Sequence, residues 1–278
     1  MTKNRSMKGT AAALLALACV SSGVHAQGGR YVSMGSSYAA GPGVGVPDQA
    51  SGACGRSMSN YARTVARRHG FDLVDVACSG ATTDNILMHG QHGFPAQVEA
   101  VTPDTRLVSV LIGGNDIEYV GNLFGLSCRA AGEAACKITD EADVGRRLAA
   151  LPAKLDRVVA EVRRRAPAAR IVLVGYLPAE PASGATCAAL AMTDADARRM
   201  RDTSARLARV FDETAQRNGI DLVRAAALAK GHDACAAEGY VTGRDPEKVA
   251  GWPGPVAYHP TQAGMDSVAA EFERILEK

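Results

Sequence analysis

The chain is poor in aromatic residues and carries almost no excess charge. Aromatic side chains make up 5% of its 278 residues, which argues against a large stacking platform for sugars. Lys3, Arg5 and Lys8 supply three of the 31 basic residues, and the first 26 residues contain none of the 29 acidic ones. The rest of the chain therefore has 28 basic and 29 acidic residues, a formal net charge of −1. A surface this close to neutral gives no electrostatic basis for binding nucleic acid or an anionic membrane.

The sequence also lacks an apolar run long enough for a transmembrane helix. The best candidate, residues 11–20, is too short to span a bilayer. It follows the basic start and precedes a small-residue site at 24–26, a pattern that predicts a signal peptide over residues 1–26, cleaved after Ala26. We therefore expect a secreted or periplasmic protein. Lipid anchoring at Cys19 is the weaker alternative, because the leucine before it is one place too close for an acylation site.

Six cysteines follow the predicted signal peptide, and no two of them have C-x-x-C spacing. A structural zinc site and thioredoxin-type redox chemistry are therefore not expected. An even set of cysteines in an exported chain predicts disulfides, although six cysteines allow 15 connectivities and spacing alone does not choose among them. The six are Cys54, Cys78, Cys128, Cys136, Cys187 and Cys235.

Motifs for phosphate-bearing cofactors and for metals are missing as well. The glycine-rich run at residues 41–45 lacks both the G-x-G-x-x-G pattern and the lysine of a P-loop. His89 and His92 are spaced H-x-x-H, but no carboxylate pattern accompanies them. We therefore expect neither a cofactor nor a metal.

Strand-length apolar runs alternate with helical patterns along the remaining chain. There is no repeat, linker or composition break, so residues 27–278 are expected to form one domain. Alternating strands and helices predict an α/β fold, a single-domain three-layer α/β/α sandwich around a mostly parallel, flavodoxin-like sheet of five strands. The predicted strands are 30–34, 73–77, 107–112, 171–175 and 220–222, and the predicted helices are 61–69, 144–165, 194–218 and 261–276, the last capped by Thr261.

Two stretches do not fit this alternation. Residues 121–137 read as irregular and contain two cysteines, and residues 231–256 form a long segment with several glycines and prolines. Long loops in a compact domain are usually functional or covalently tied. We expect both to frame the mouth of a cleft.

Ser37 is the most informative single residue. It follows the first predicted strand in Gly35-Ser36-Ser37, among small residues that allow a sharp turn. Ligands of open α/β sheets bind at the carboxyl ends of strands, where a serine can act as a nucleophile if a base and an oxyanion site accompany it. A serine that only caps a helix or turn is the commoner case.

Three later residues could supply what a nucleophilic serine needs. Gly80 follows the second strand and can present a backbone N–H without a side chain in the way. Asn115 follows the third strand, and its amide is a neutral donor for a developing negative charge. His259 precedes the last helix and could serve as general base. Taken singly, residues of these types are more often found in turns or in packing contacts, and Asp116 is expected to be such a structural residue. Taken together with Ser37 and in this order, they point to a hydrolase.

At these positions the chain resembles the GDSL-type esterases and lipases, also called SGNH hydrolases. Gly35-Ser36-Ser37 resembles their first block, Gly80 the second, Gly113–Asp116 the third and His259-Pro260 the last. The resemblance implies that Ser37 is the nucleophile and that His259 is the base. It also implies an oxyanion hole formed by the N–H groups of Ser37 and Gly80 and the side chain of Asn115.

The export signal and six cysteines look most like the secreted actinobacterial members of this family. In those proteins the cysteines pair in sequence order. The resemblance therefore implies the bridges Cys54–Cys78, Cys128–Cys136 and Cys187–Cys235.

Two positions depart from the family pattern. The middle residue of the first block is Ser36 where the family usually has aspartate, which bears on the stability of the loop more than on chemistry. Three residues before the histidine, many members carry an aspartate where this chain has Val256. We therefore predict a Ser–His dyad whose imidazole is held by a main-chain carbonyl, that of Val256 or a nearby residue, with Asp233 as a minor alternative.

The resulting hypothesis is a secreted, monomeric carboxylester hydrolase that acts on a small ester or lipid through an acyl-enzyme. Two alternatives stay open. The same acyl-enzyme could serve an acyltransferase or deacetylase that works on a sugar or lipid hydroxyl. A non-catalytic module that binds glycan or lipid could also use this scaffold, and the two departures from the family pattern are its support.

Overall fold

The described residues form a central sheet of five strands, all pairs of which are parallel. The computed structural model describes residues 1–2, 28–183 and 185–278, so nearly all of the predicted signal peptide, including Cys19, lies outside the described residues. The strands are β1 (Arg30–Gly35), β2 (Asp72–Asp75), β3 (Thr105–Leu111), β4 (Arg170–Val174) and β5 (Asp221–Val223). Their order is β2-β1-β3-β4-β5, which confirms the flavodoxin-like prediction.

Helices cover both faces of this sheet. They are α1 (Ser37–Ala40), α2 (Tyr61–His69), α3 (Thr83–Leu87), α4 (Tyr119–Ala130), α5 (Glu141–Arg165), α6 (Asp194–Asn218), α7 (Ala225–Leu228) and α8 (Gln262–Leu276). Helices α2 and α8 pack together, as do α5 and α6. The central strands β1, β3 and β4 are largely apolar and almost fully buried, as expected for a sheet covered on both sides, whereas the edge strand β2 is only partly buried. The three-layer prediction is confirmed.

The start of α8 matters for function because His259 lies just before it. Thr261 caps this helix as predicted, and its side chain accepts a hydrogen bond from the Gly264 N–H. Gly264 has no room for a side chain, since a Cβ there would lie 2.2 Å from the Tyr240 carbonyl oxygen. The helix therefore begins in close contact with the preceding loop.

The prediction that residues 121–137 are irregular was wrong for their first ten residues, which belong to α4. Val120, Leu123 and Leu126 form the buried side of this helix, but glycines and polar residues between them obscure the spacing. Gly125 is required because a Cβ there would lie 2.0 Å from the Lys137 carbonyl oxygen. The returning chain thus packs directly on the helix. Between α7 and α8, the loop of residues 231–256 is irregular as predicted.

Three disulfides join the segments around the carboxyl edge of the sheet. They are Cys54–Cys78, Cys128–Cys136 and Cys187–Cys235, the pairing that the resemblance implied. The first ties a 3₁₀ helix (Gln49–Cys54) to the segment after β2. The last ties the segment before α6 to the long loop before α8.

Candidate active site

The fold brings Ser37 and His259 into hydrogen-bond contact although 222 positions separate them. The distance between Ser37 Oγ and His259 Nε2 is 2.8 Å. Ser37 is the first residue of α1, immediately beyond β1, and His259 lies just before α8. Both side chains are nearly buried, with 7% and 8% exposure. The Ser37 hydroxyl thus contacts a potential base, as a nucleophile requires.

The main chain before Ser37 is held rigidly on both sides. Gly35 N–H donates to Gln97 Oε1 at 2.7 Å, and Gln97 Nε2 donates back to the Gly35 carbonyl at 3.0 Å. The Ser36 N–H extends the pairing with β3 by donating to the Leu111 carbonyl at 3.0 Å. A Cβ on Gly35 would lie 2.4 Å from that same oxygen, so only glycine fits there. Gln97 has no motif around it, and sequence reasoning missed it.

Ser36, the first departure from the family pattern, joins the first block to the third. Its hydroxyl lies 3.1 Å from the hydroxyl of Tyr176, which also accepts a hydrogen bond of 2.9 Å from the Gly114 N–H. Burial raises the pKa of Tyr176, so the phenol stays protonated. Ser36 is therefore integrated into a buried network that stabilises the loop.

A main-chain carbonyl orients the His259 ring. His259 Nδ1 lies 2.6 Å from the Ala257 carbonyl oxygen, so the ring does contact a nearby main-chain carbonyl, but the named candidate, Val256, was wrong by one residue. The Val256 carbonyl instead accepts a hydrogen bond from Thr242 Oγ1 at 2.9 Å. The minor alternative also fails, because the Ala257 carbonyl occupies His259 Nδ1 and the Asp233 carboxylate accepts from the Cys235 N–H instead. Among the described residues, no carboxylate forms an ion pair with His259.

The electrostatic setting of His259 favours its neutral form. Burial of the imidazole lowers its pKa below the ordinary value of about 6.5, and the hydrogen bond to the Ala257 carbonyl offsets part of that effect. A neutral ring that donates from Nδ1 has a free electron pair on Nε2. That nitrogen faces Ser37 and can accept its proton.

The backbone just before His259 adopts an unusual conformation that the surroundings stabilise. Tyr258 has φ of 56°, in the left-handed region that a bulky residue seldom occupies. Tyr38 donates from its hydroxyl to the Tyr258 carbonyl at 2.7 Å, and the Tyr258 hydroxyl donates to the Leu190 carbonyl at 2.8 Å. Thr242 accepts from the His259 N–H and donates its own N–H to the His259 carbonyl. Sequence reasoning missed both Tyr38 and Thr242.

Gly80 and Asn115 lie together at the edge of the sheet next to Ser37. The Cys78 N–H donates to the Gly35 carbonyl at 3.0 Å, which places Gly80 alongside the serine loop. Asn115 Nδ2 donates to the Ala81 carbonyl at 2.9 Å, which links the third block to the second. That bond uses one of the two amide hydrogens of Asn115 and leaves the other available.

Two backbone N–H groups complete this set of donors. In the part of the chain that the structure describes, neither the Ser37 N–H nor the Gly80 N–H donates a hydrogen bond to another protein group. With the free Asn115 hydrogen they make three neutral donors, one from each of the segments that follow β1, β2 and β3. This is the composition of an oxyanion hole.

Asp116 is structural, as expected. Its carboxylate accepts from the Thr83 N–H at 3.0 Å and the Thr83 hydroxyl at 2.6 Å, and it pairs with Lys154 at 3.0 Å. These contacts anchor the third block to the start of α3 and to α5.

A small apolar cavity of about 260 Å³ lies beside the histidine segment. Val44 lines one side, and Thr242, Val256 and Pro260 line the other. The long loop before α8 thus frames a cavity next to the residues that flank His259 in the chain, although Ser37 and His259 do not line it themselves. Arg244 links this loop to α4, because its guanidinium donates to the Ser127 carbonyl at 2.8 Å and also pairs with the Glu133 carboxylate just after the helix.

The described residues show neither a metal cluster nor a membrane span. The described residues contain no cluster of three or more His, Cys, Asp and Glu side chains that could hold a metal ion. Within the same residues, no helix combines the length and apolar character that a bilayer span requires.

A family model described as the GDSL-like Lipase/Acylhydrolase family matches residues 33–266 of the chain. The chain therefore belongs to this family, and it is a serine ester hydrolase of the GDSL type. The matched region includes Ser37, Gly80, Asn115 and His259.

Several streptomycete proteins are similar to the chain. Lipase 1 of Streptomyces coelicolor is 30% identical over 239 residues, which cover 84% of this chain and 82% of that protein. A lipase of Streptomyces rimosus is 37% identical over 159 residues, but these span only 56% of its length. Among solved structures, phospholipase A1 of Streptomyces albidoflavus aligns with a TM-score of 0.71 at 27% identity, covering 88% of this chain and 98% of that one. The extracellular lipase of Streptomyces rimosus gives 0.72 at 29% identity, with the same coverage.

Proposed function

We propose that this protein is an exported carboxylester hydrolase, an esterase or lipase, that works through a Ser37–His259 dyad and an acyl-enzyme intermediate. The observation that carries the proposal is the 2.8 Å contact between Ser37 Oγ and His259 Nε2, beside three unengaged N–H donors. In this reading residues 1–26 are the signal peptide, and residues 27–278 are the secreted catalytic domain, which acts as a monomer.

The first half of the reaction acylates the serine. Ser37 Oγ attacks the ester carbonyl while His259 Nε2 takes its proton. The carbonyl oxygen becomes an oxyanion, which the N–H groups of Ser37 and Gly80 and the Asn115 amide stabilise. The imidazolium then gives its proton to the alcohol oxygen, the C–O bond breaks, and the alcohol leaves.

The second half releases the acid. Water donates a proton to His259 Nε2 and attacks the acyl carbon, and the same three donors stabilise the second tetrahedral intermediate. The intermediate collapses, Ser37 regains its proton from the imidazolium, and the carboxylic acid departs. Every proton transfer uses one nitrogen of one histidine, so a second titrating side chain is not needed.

A carbonyl in place of the usual carboxylate has a chemical consequence. The Ala257 carbonyl fixes the tautomer with hydrogen on Nδ1, as a triad aspartate would. Because the carbonyl has no net charge, it stabilises the transient imidazolium less than a carboxylate does. Rigid positioning by Tyr258 and Thr242 helps to keep the ring in place.

The substrate class we propose is a small ester or a lipid ester. The cavity beside Val256 and Pro260, which flank His259 in the chain, has a mostly apolar lining suited to an acyl or alkyl group. The relatives named as lipases, and the one named as phospholipase A1, support the same substrate class.

The test is ester hydrolysis by the Ser37→Ala variant, measured with p-nitrophenyl esters of graded acyl length. We expect turnover to fall to background, whereas the control Ser267→Ala, which changes a helix hydroxyl bonded to its own backbone, retains activity. Wild-type turnover in Ser37→Ala would contradict the proposal. Product analysis with an added alcohol distinguishes the rival acyltransferase, which would form a new ester in preference to free acid.

A further inference from the structure

The loop that holds Gly80 is a tight turn with two possible orientations of its central peptide. The Ala81 N–H donates to the Cys78 carbonyl at 3.1 Å, which closes a four-residue turn with Ser79 and Gly80 at its centre. Gly80 has φ of 79°, whereas Ser79 is not in the left-handed region. This combination defines a type II turn.

Type I and type II turns differ chiefly in the direction of the central peptide. In the peptide between Ser79 and Gly80, the carbonyl and the N–H point in opposite directions because the bond is planar and trans. Rotation to the type I form would put the Ser79 carbonyl where the Gly80 N–H now lies. Glycine can adopt either conformation, so its own backbone preference does not fix the choice.

Gln91 makes the contact that distinguishes the two orientations. Its Nε2 donates to the Ser79 carbonyl at 3.3 Å. Among the described residues this is the only hydrogen bond to either polar group of the central peptide. The Cys54–Cys78 bridge and the bonds of the Ser79 N–H and hydroxyl to the Cys54 carbonyl hold only the first half of the turn.

The position of Gln91 is itself stabilised. Its carbonyl accepts from the Phe94 N–H at 2.8 Å, and the Phe94 ring lies 5.2 Å from the guanidinium of Arg56. Arg56 in turn donates to the Ala77 carbonyl at 3.1 Å, just before the turn. Through Phe94 and Arg56, the loop that holds Gln91 is therefore linked to the segment just before the Ser79–Gly80 turn.

The cost of this arrangement is visible at the other end of the amide. Gln91 Oε1 is buried and has no hydrogen-bond partner within the described part of the chain. Buried polar atoms are seldom left unpaired in native structures, and each one lowers stability. Rotating the Gln91 amide by half a turn would place Oε1 against the Ser79 carbonyl oxygen, and two acceptors cannot form a hydrogen bond. The contact with Ser79 therefore sets the orientation of the amide.

We propose that Gln91 is a positioning residue for the oxyanion hole: it holds the Ser79–Gly80 peptide so that the Gly80 N–H faces Ser37. The inference rests on the proposed esterase function. Without this contact the peptide would also populate the orientation in which a carbonyl faces the oxyanion and repels it. The ester binds in both states, but only one of them supports reaction.

The experiment replaces Gln91 with methionine, which keeps the length of the side chain and removes the donor. The kcat for a p-nitrophenyl ester, counted per active site by phosphonate titration, should fall about 10-fold, less than the ~10²–10³-fold cost of losing an oxyanion donor outright. KM should change less than about twofold, and phosphonate inactivation should slow in parallel with kcat, because both reactions place an oxygen in the same hole.

Two further variants complete the design. Gln91→Glu keeps the shape of the side chain but puts an oxygen against the Ser79 carbonyl, so its kcat should fall further than that of Gln91→Met. If Gln91→Met does not fold, Gln91→Glu tests the same hydrogen bond. The control Gln216→Met makes the same change on an exposed surface of α6 and should retain the wild-type kcat.

Wild-type kcat per active site in folded Gln91→Met or Gln91→Glu would overturn the inference. So would a loss confined to KM, or a fall in the melting temperature without a fall in kcat. The proposed function fails separately: Ser37→Ala would then retain turnover. An inactive Ser37→Ala with fully active Gln91 variants would leave the function intact and remove only the role of Gln91.

Discussion

Replacing Asn115 with alanine tests whether its side-chain amide contributes to catalysis or only to the stability of the fold. Asn115 makes one side-chain hydrogen bond in the described structure, to the Ala81 carbonyl, and is only partly buried. Losing that bond should lower the free energy of unfolding by about 0.5–1.5 kcal/mol. Its second amide hydrogen faces no protein partner, so its loss should appear in the transition state, as a fall in kcat of about 10²–10³-fold.

Asn122 is the matched control. It is buried in α4, where its side chain accepts from the Thr139 N–H at 2.8 Å and donates to the Thr139 carbonyl at 3.3 Å. Asn122→Ala should therefore lower the unfolding free energy by about 1–3 kcal/mol, because it removes two part-buried hydrogen bonds worth about 0.5–1.5 kcal/mol each, and leave kcat close to that of the wild type. The measurements are urea unfolding and ester hydrolysis per active site. Similar kcat values in the two variants would refute the assignment of Asn115 to the oxyanion hole.

Three other perturbations have defined outcomes. Because burial lowers the pKa of His259, kcat/KM should reach half its plateau below pH 6.5 and stay high above that pH. The same shift means that the contribution of His259 to folding stability falls as the pH drops below about 6.5. A pH–rate profile with its inflection well above pH 6.5 would contradict the lowered pKa. Tyr38→Phe removes the bond to the Tyr258 carbonyl and should lower kcat several-fold with a stability loss of about 1 kcal/mol, measured by kinetics and urea unfolding; unchanged kcat would show that His259 does not need it. Reductant should lower the melting temperature, since losing a native disulfide typically costs about 2–5 kcal/mol in small domains and less in a chain of this length; an unchanged melting temperature would count against the three bridges.

Sequence patterns were sufficient to predict the sheet and to single out Ser37 and His259, whose side chains the structure brings into contact. The central strands β1, β3 and β4 could be recognised because each is a short, largely apolar run that the fold buries, and helices α2 and α6 match their predicted bounds. Ser37 and His259 stood out because each belongs to a recognisable block next to a strand or helix end. The parallel sheet then brings the ends of β1, β2 and β3 to one edge.

The supporting residues could not be found in this way. Gln97, Tyr176 and Thr242 come from distant parts of the chain, and each acts through contact with backbone groups that have no sequence signal. The error at Val256 has a similar origin. Every residue has a carbonyl, and the left-handed conformation of Tyr258 determines that the Ala257 carbonyl meets the ring.

The most direct test of the account is covalent labelling of Ser37 by an organophosphonate, followed by peptide mass spectrometry, in the wild type and in His259→Ala. Labelling requires an activated serine hydroxyl, which the 2.8 Å contact with His259 Nε2 provides. The account predicts one phosphonate on Ser37 in the wild type and a loss of labelling rate of several orders of magnitude in His259→Ala. Equal labelling of Ser37 in both proteins, or labelling of a different residue, would contradict it.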